Sequence, residues 1–233
     1  MNPRSNQLLD QLTDAEYQLL HRDLQLVSLQ AGQTLFIPGG TIDQAYFPVN
    51  ALIAIANQLS GGQSIDMALV GSEGSVGLRG LFENICPYQV YVANSGLSYK
   101  IGLARLRQLF DSGAWVHKIY IQANHQILGQ IAAETTCVHF HGVLARLARW
   151  ILIRTARLEQ TYLEATHQSV ADCLGVRREA VTHALMKLPG IQCHRNHIEV
   201  NDRSDLEHQA CGCYQKITET LTGQMTLPFR KQA

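Results

Sequence analysis

The residues with the most evident chemistry lie in the run THQSVADCLGVRREAVTHALMKL, positions 166–188. Arg177 and Arg178 carry planar guanidiniums that can each donate two hydrogen bonds to the O6 and N7 edge of guanine. Glu179 can accept from the N4 amine of cytosine, and Thr182 and His183 add a hydroxyl and an imidazole for a base or a phosphate. These side chains crowd the start of a predicted helix, the end that does the reading when a helix lies in a major groove. Upstream, Thr166, Gln168 and Ser169 stand at the start of another predicted helix, where polar side chains and backbone N–H groups hold phosphates and fix register. An Arg-Arg-Glu cluster alone is ordinary solvated helix surface; its setting must give it meaning.

A second set is Cys193, His194, His197, His208, Cys211 and Cys213, with enough nitrogen and sulfur donors for a zinc or redox site. The simpler reading puts Cys211 and Cys213 in a helical tail and leaves the histidines to decorate surface strands, so no metal is expected. The six cysteines, with Cys86, Cys137 and Cys173, lack the spacing of a disulfide framework, and reduced thiols are expected.

The base-reading candidates are useful only if two helices hold them at a fixed angle. Thr166 is a good N-cap, Val170 and Leu174 face a core, and Ala171 is small where a second helix would cross. Gly175 supplies the left-handed backbone that ends a helix. Val176 fills the turn, and Val181, Ala184 and Leu185 form the buried stripe of the second helix. That stripe leaves the arginine-bearing side free to enter a groove, so a helix-turn-helix is expected. Ile191–His194 and Ile198–Val200, around Arg195-Asn196-His197, predict two short strands forming a wing.

Before this segment, Val143, Leu144, Leu147, Ala148, Ile151 and Leu152 predict the buried face of a helix, with Arg146, Arg149, Arg154 and Arg157 largely elsewhere on it. His139 to Gly142 interrupt the helical pattern and form a candidate hinge. Still earlier, Ile119, Ala123, Ile127 and Ile131 lie four apart, with Val138 a heptad further on, so they share one stripe on a helix from about Ala114 to Thr136. Such a helix, about 35 Å long, exceeds what is needed to cap a β domain. Its stripe is expected to pack against its twin in a homodimer, the alternative being its own domain. From Leu26 to Ile101 short apolar runs alternate with breaks such as Ala31-Gly32, Pro38-Gly39-Gly40 and Ser60-Gly61-Gly62, which predicts an antiparallel sandwich or barrel. The fold class is therefore α+β, with divisions at 1–113, 114–141 and 142–233.

Formal net charge is zero, but residues 143–233 hold 12 Lys/Arg against 9 Asp/Glu, an excess of three positive charges. This permits a nucleic-acid face without requiring one. The N-terminus lacks the pattern of a signal peptide and no apolar run is long enough to span a bilayer, so a cytoplasmic protein without a membrane partner is expected. A barrel-type metalloenzyme would need several inward histidines, and none occurs between Gln30 and Arg105. No enzymatic activity is expected. A dimer that has lost DNA binding and serves only protein interaction is disfavoured by Arg178 and Glu179.

The runs LGVRREAVTHAL, HFHGVLARLARWIL, QAYFPVNALIAI and ALVGSEGSVGL resemble the Crp/Fnr family of bacterial regulators over nearly the whole chain, and DRSDLEHQACGCY is similar to the tail of one branch. The resemblance implies a cyclic-nucleotide-binding-like β-roll (a double-stranded β-helix) as sensory domain, a long dimerisation helix and a winged helix-turn-helix. Its partners would be double-stranded DNA with a two-fold-symmetric operator, a second copy, RNA polymerase and a small-molecule effector. Arg178 and Glu179 match the family's base-reading pair and Thr166 its phosphate-contacting Thr, whereas His183 stands where the family commonly has Arg. Cyclic-AMP-binding members place a Glu and an Arg-Ser pair where this chain has Leu78, Tyr88 and Gln89. A buried phosphodiester wants a guanidinium and a hydroxyl, and a ribose wants a carboxylate, so cyclic AMP is not the expected effector. The link from Lys187 to Ile191 is shorter than usual. Iron–sulfur sensing in the family needs N-terminal cysteines, and the first here is Cys86; no residue singles itself out for haem, and no cofactor is expected.

Overall fold

The computed structural model describes residues 2–60, 64–112 and 114–222; Gly61 and Gly62 of the expected turn lie outside them. Two short helices open the chain, α1 (Gln7–Asp10) and α2 (Asp14–Leu20), the latter started by a capping box between Thr13 and Glu16. Seven strands follow: β1 (Gln25–Leu29), β2 (Thr34–Phe36), β3 (Gln44–Pro48), β4 (Leu52–Gln58), β5 (Ser64–Val70), β6 (Gln89–Asn94) and β7 (Gly96–Gly102). They form two sheets, ordered β1-β7-β3 and β2-β6-β4-β5, with every pairing antiparallel. Phe36, Phe47, Ile53, Ile55, Val90, Val92 and Ile101 are buried in one continuous core between them.

The chain then turns helical with α3 (Leu103–Ser112) and the 27-residue α4 (Ala114–Phe140), which runs one turn past the expected end. Ile119 and Ala123 are buried in the β core and Ile127 packs against it. The first half of the expected dimer stripe is thus spent on its own domain: the opening between the sheets needs an apolar cover, and these turns of α4 supply it. Ile131 is half-buried. The large apolar residues α4 leaves exposed are Ile121, Leu128, Val138 and Phe140.

After a break at His141 and Gly142 come α5 (Val143–Leu158), β8 (Tyr162–Glu164), α6 (His167–Leu174), α7 (Arg178–Lys187), β9 (Ile191–His194), β10 (His197–Val200), α8 (Arg203–Gln209) and α9 (Cys213–Thr222). A second core gathers Leu147, Ile151, Leu163, Val170, Val181, Leu185, Ile198 and Leu206. The small sheet is ordered β8-β10-β9.

Of the four arginines of α5 expected off its buried face, Arg146, Arg149 and Arg154 are buried themselves and Arg157 is partly buried. Arg149 pairs with Glu134 of α4 at 2.6 Å, Arg154 with Asp66 of β5 at 3.0 Å, and Arg157 with Glu73 at 3.2 Å. Arg146 donates to the Leu174 carbonyl at the end of α6. The physical reason is that α5 is enclosed on several sides, by α4, by β5 and by the helices after it. Its second face therefore meets carboxylates and carbonyls of other elements, which compensate the buried charge.

Candidate nucleic-acid interface

Thr166 caps α6, and the cap is reciprocal: the Ser169 N–H donates to the Thr166 hydroxyl at 3.0 Å and the Thr166 N–H to the Ser169 hydroxyl at 3.0 Å. Gly175 closes the helix at φ 62°, the left-handed conformation expected of it. Val170, Ala171 and Leu174 of α6 and Val181, Ala184 and Leu185 of α7 are buried against one another and against α5. Burying that stripe turns the opposite side of α7 outward.

Arg177 is the N-cap of α7; it, Arg178, Glu179 and His183 are exposed, and their side chains have no hydrogen-bond or ion-pair partner among the described residues. Three guanidinium or carboxylate groups within the first turn of one helix are thus free to engage a ligand. Thr182 is less free. Its hydroxyl meets the His167 Nδ1 at 2.9 Å and the Arg178 carbonyl at 3.1 Å, so it also fastens α6 to α7. On α6, Gln168 donates to Asp172 at 2.8 Å, while Thr166 and Ser169 keep their hydroxyls at the exposed N-terminus within the cap. The wing is a hairpin with Arg195 and Asn196 at its tip, Asn196 taking φ 57°. Arg177 also lines a cleft toward Asn57, Leu59 and Ser64 of the β4–β5 corner.

In the β-roll, Leu78 is buried and Tyr88 packs against the core. The cavity they line with Ser75, Gly77 and Val90 measures about 20 Å³. Small-molecule sites run to roughly 300–1,000 Å³. The space here is far smaller than that, and burial raises the Tyr88 phenol above its ordinary range, so it stays neutral.

The candidate metal ligands separate. Cys193 is exposed on β9, with His194 and His197 on the same hairpin, and the His208 Nδ1 is hydrogen-bonded to the Ser204 carbonyl at 2.7 Å. Cys211 and Cys213 instead face Cys137 and His141 at the end of α4. Sequence separation hid that grouping, although Cys137 and His141 share the i, i+4 spacing of one helix face.

An antiparallel β-roll and a long helix are followed by a winged helix-turn-helix with a free arginine face, an arrangement suited to DNA. Residues 145–209 match the family model of the Crp-like helix-turn-helix domain. Three solved structures share the fold, and two of them, from Eubacterium rectale and Thermus thermophilus, are described as Crp/Fnr-family transcriptional regulators. One from Eubacterium rectale is 15% identical, covering 88% of this chain and 98% of the other with a TM-score of 0.72. FixK2 of Bradyrhizobium japonicum is 14% identical, covering 81% and 98% with a TM-score of 0.69. One from Thermus thermophilus is 22% identical, covering 80% and 98% with a TM-score of 0.66. No curated protein matches the sequence. Residues 145–209 thus carry a Crp-like helix-turn-helix domain, and the chain shares the fold of these solved structures. Among the described residues no helix is long and apolar enough to cross a membrane.

Proposed function

We propose that the protein regulates transcription as a homodimer that reads a two-fold-symmetric DNA site, with α7 of each copy in a major groove. The observation that carries this reading is the unpartnered, exposed Arg177, Arg178 and Glu179 opposite the buried stripe of α7. Arg178 and Glu179 read base edges, Arg177 and His183 flank them, and the start of α6 at Thr166, Gln168 and Ser169 lies against phosphate. The exposed apolar positions of α4, Ile121, Leu128 and Val138 together with the half-buried Ile131, supply the dimer contact. Signals reach the DNA-binding helices from the β-roll, whose effector is a small molecule other than cyclic AMP, and the DNA-bound dimer acts on RNA polymerase.

Selection of bound sequences from random DNA tests the reading. The enriched site is expected to be an inverted repeat with half-sites about one helical turn apart. Arg178→Ala is expected to cost about 1–3 kcal/mol and to relax preference at one base pair of each half-site. A solitary asymmetric site, or an Arg178→Ala affinity within twofold of the parent, refutes it.

A further inference from the structure

Cys137 and His141, one turn apart at the end of α4, meet Cys211 and Cys213, which bracket Gly212 at the start of α9. The four ligand atoms lie within 4.8 Å of one another, with Cys137 Sγ to Cys211 Sγ at 3.3 Å and Cys213 Sγ to His141 Nδ1 at 3.7 Å. A tetrahedral zinc with Zn–S near 2.3 Å sets its ligand atoms roughly 3.5–3.8 Å apart, so this spacing fits a single ion. The three sulfurs are buried and the imidazole is half-buried. We infer that Cys137, His141, Cys211 and Cys213 form a Cys3His site for a structural zinc ion that fastens the end of the dimerisation helix to the C-terminal helices of the DNA-binding domain.

The surroundings suit a thiolate-rich site. Arg146 and Arg149 both act electrostatically on Cys137 and Cys211, and three thiolates around Zn²⁺ leave one net negative charge for them to offset. The Nε atoms of both guanidiniums are buried without a hydrogen-bond partner. The Cys213 backbone N–H donates to the Cys211 sulfur, as outer-shell amides do to metal thiolates. Iron–sulfur clusters divide their ligands among separate iron atoms, and four ligand atoms this close do not span one. The site bridges the break at His141–Gly142: Cys137 comes before it, His141 lies in it, and two ligands arrive from the chain beyond the wing. Bound zinc thus restricts how far the helix-turn-helix swings relative to α4.

The test uses the full chain without a histidine tag, reduced, incubated with equimolar zinc and dialysed. One zinc per chain is expected, falling at least tenfold in Cys137→Ser and in Cys211→Ser but not in Cys193→Ser or His208→Ala, which lie elsewhere. Cobalt loading is expected to give thiolate charge-transfer bands and intense tetrahedral d–d bands. His141→Cys keeps the metal and strengthens the charge-transfer bands, which guards against variants that lose zinc by failing to fold. The inference is overturned if reduced parent retains no zinc, if it holds iron with acid-labile sulfide instead, or if Cys193→Ser loses zinc as Cys211→Ser does.

Discussion

Asp66→Ala removes the carboxylate that joins β5 of the β-roll to Arg154 of α5. The side chains of Arg154 and Asp66 are 7% and 10% exposed, so the substitution strands a buried guanidinium. Breaking a buried pair by removing one partner costs about 3–5 kcal/mol. The Tyr91 hydroxyl, which donates to Asp66 at 2.8 Å, loses its acceptor as well, while the Arg154 stack on Trp150, at 4.3 Å, persists. Because the pair spans the contact between the β-roll and the DNA-binding domain, the cost falls on that docking. At about 1.4 kcal/mol per tenfold, local opening rises by a factor between roughly 10² and about 4 × 10³. Amide hydrogen exchange of β5 and α6 measures it directly. In the double variant Asp66→Ala/Arg154→Met no charge is left behind, and most of the protection is expected to return. Less than a threefold change in the single variant, or no recovery in the double, refutes the assignment of this pair as an inter-domain fastening.

Three further outcomes follow from particular residues. Leu128→Glu, at a position 64% exposed on α4, is expected to weaken dimerisation at least 100-fold by sedimentation without shifting the monomer's circular dichroism; an unchanged dimer places the interface elsewhere. Thr166→Ala removes half of the α6 capping box and is expected to lower stability by about 1 kcal/mol in urea unfolding, whereas Thr166→Ser leaves it nearly unchanged. Gly190 takes φ 75° where the chain enters the wing, and a Cβ there would collide with the Asp202 carbonyl oxygen, so Gly190→Ala is expected to lower the melting temperature by several degrees.

The helix-turn-helix was legible along the chain because its determinants are local. Thr166, Gly175 and the Val181, Ala184, Leu185 stripe act within a few residues, and the 3.6-residue period decides alone which side of α7 faces out. The long helix and the β-roll were legible for the same reason, through periods and turn residues. What α4 packs against was not. Ile119 and Ala123 carry the same apolar signal whether a second copy or the β core covers them, and the three-dimensional closure of the roll gave them to the core. The α5 arginines read only as lying off the buried face because their partners, Glu134, Asp66 and Glu73, come from other elements distant in sequence. Cys137 and His141 likewise gain meaning only when the last helices fold back beside α4 and set Cys211 against them. By itself, then, the sequence determined the β half, the long helix, the helix-turn-helix with its wing and which way the groove-reading face points, since period and capping are properties of neighbouring residues. Which faces meet, which charges are buried and which thiols converge was left to tertiary structure, since these depend on long-range packing that no short window of residues contains.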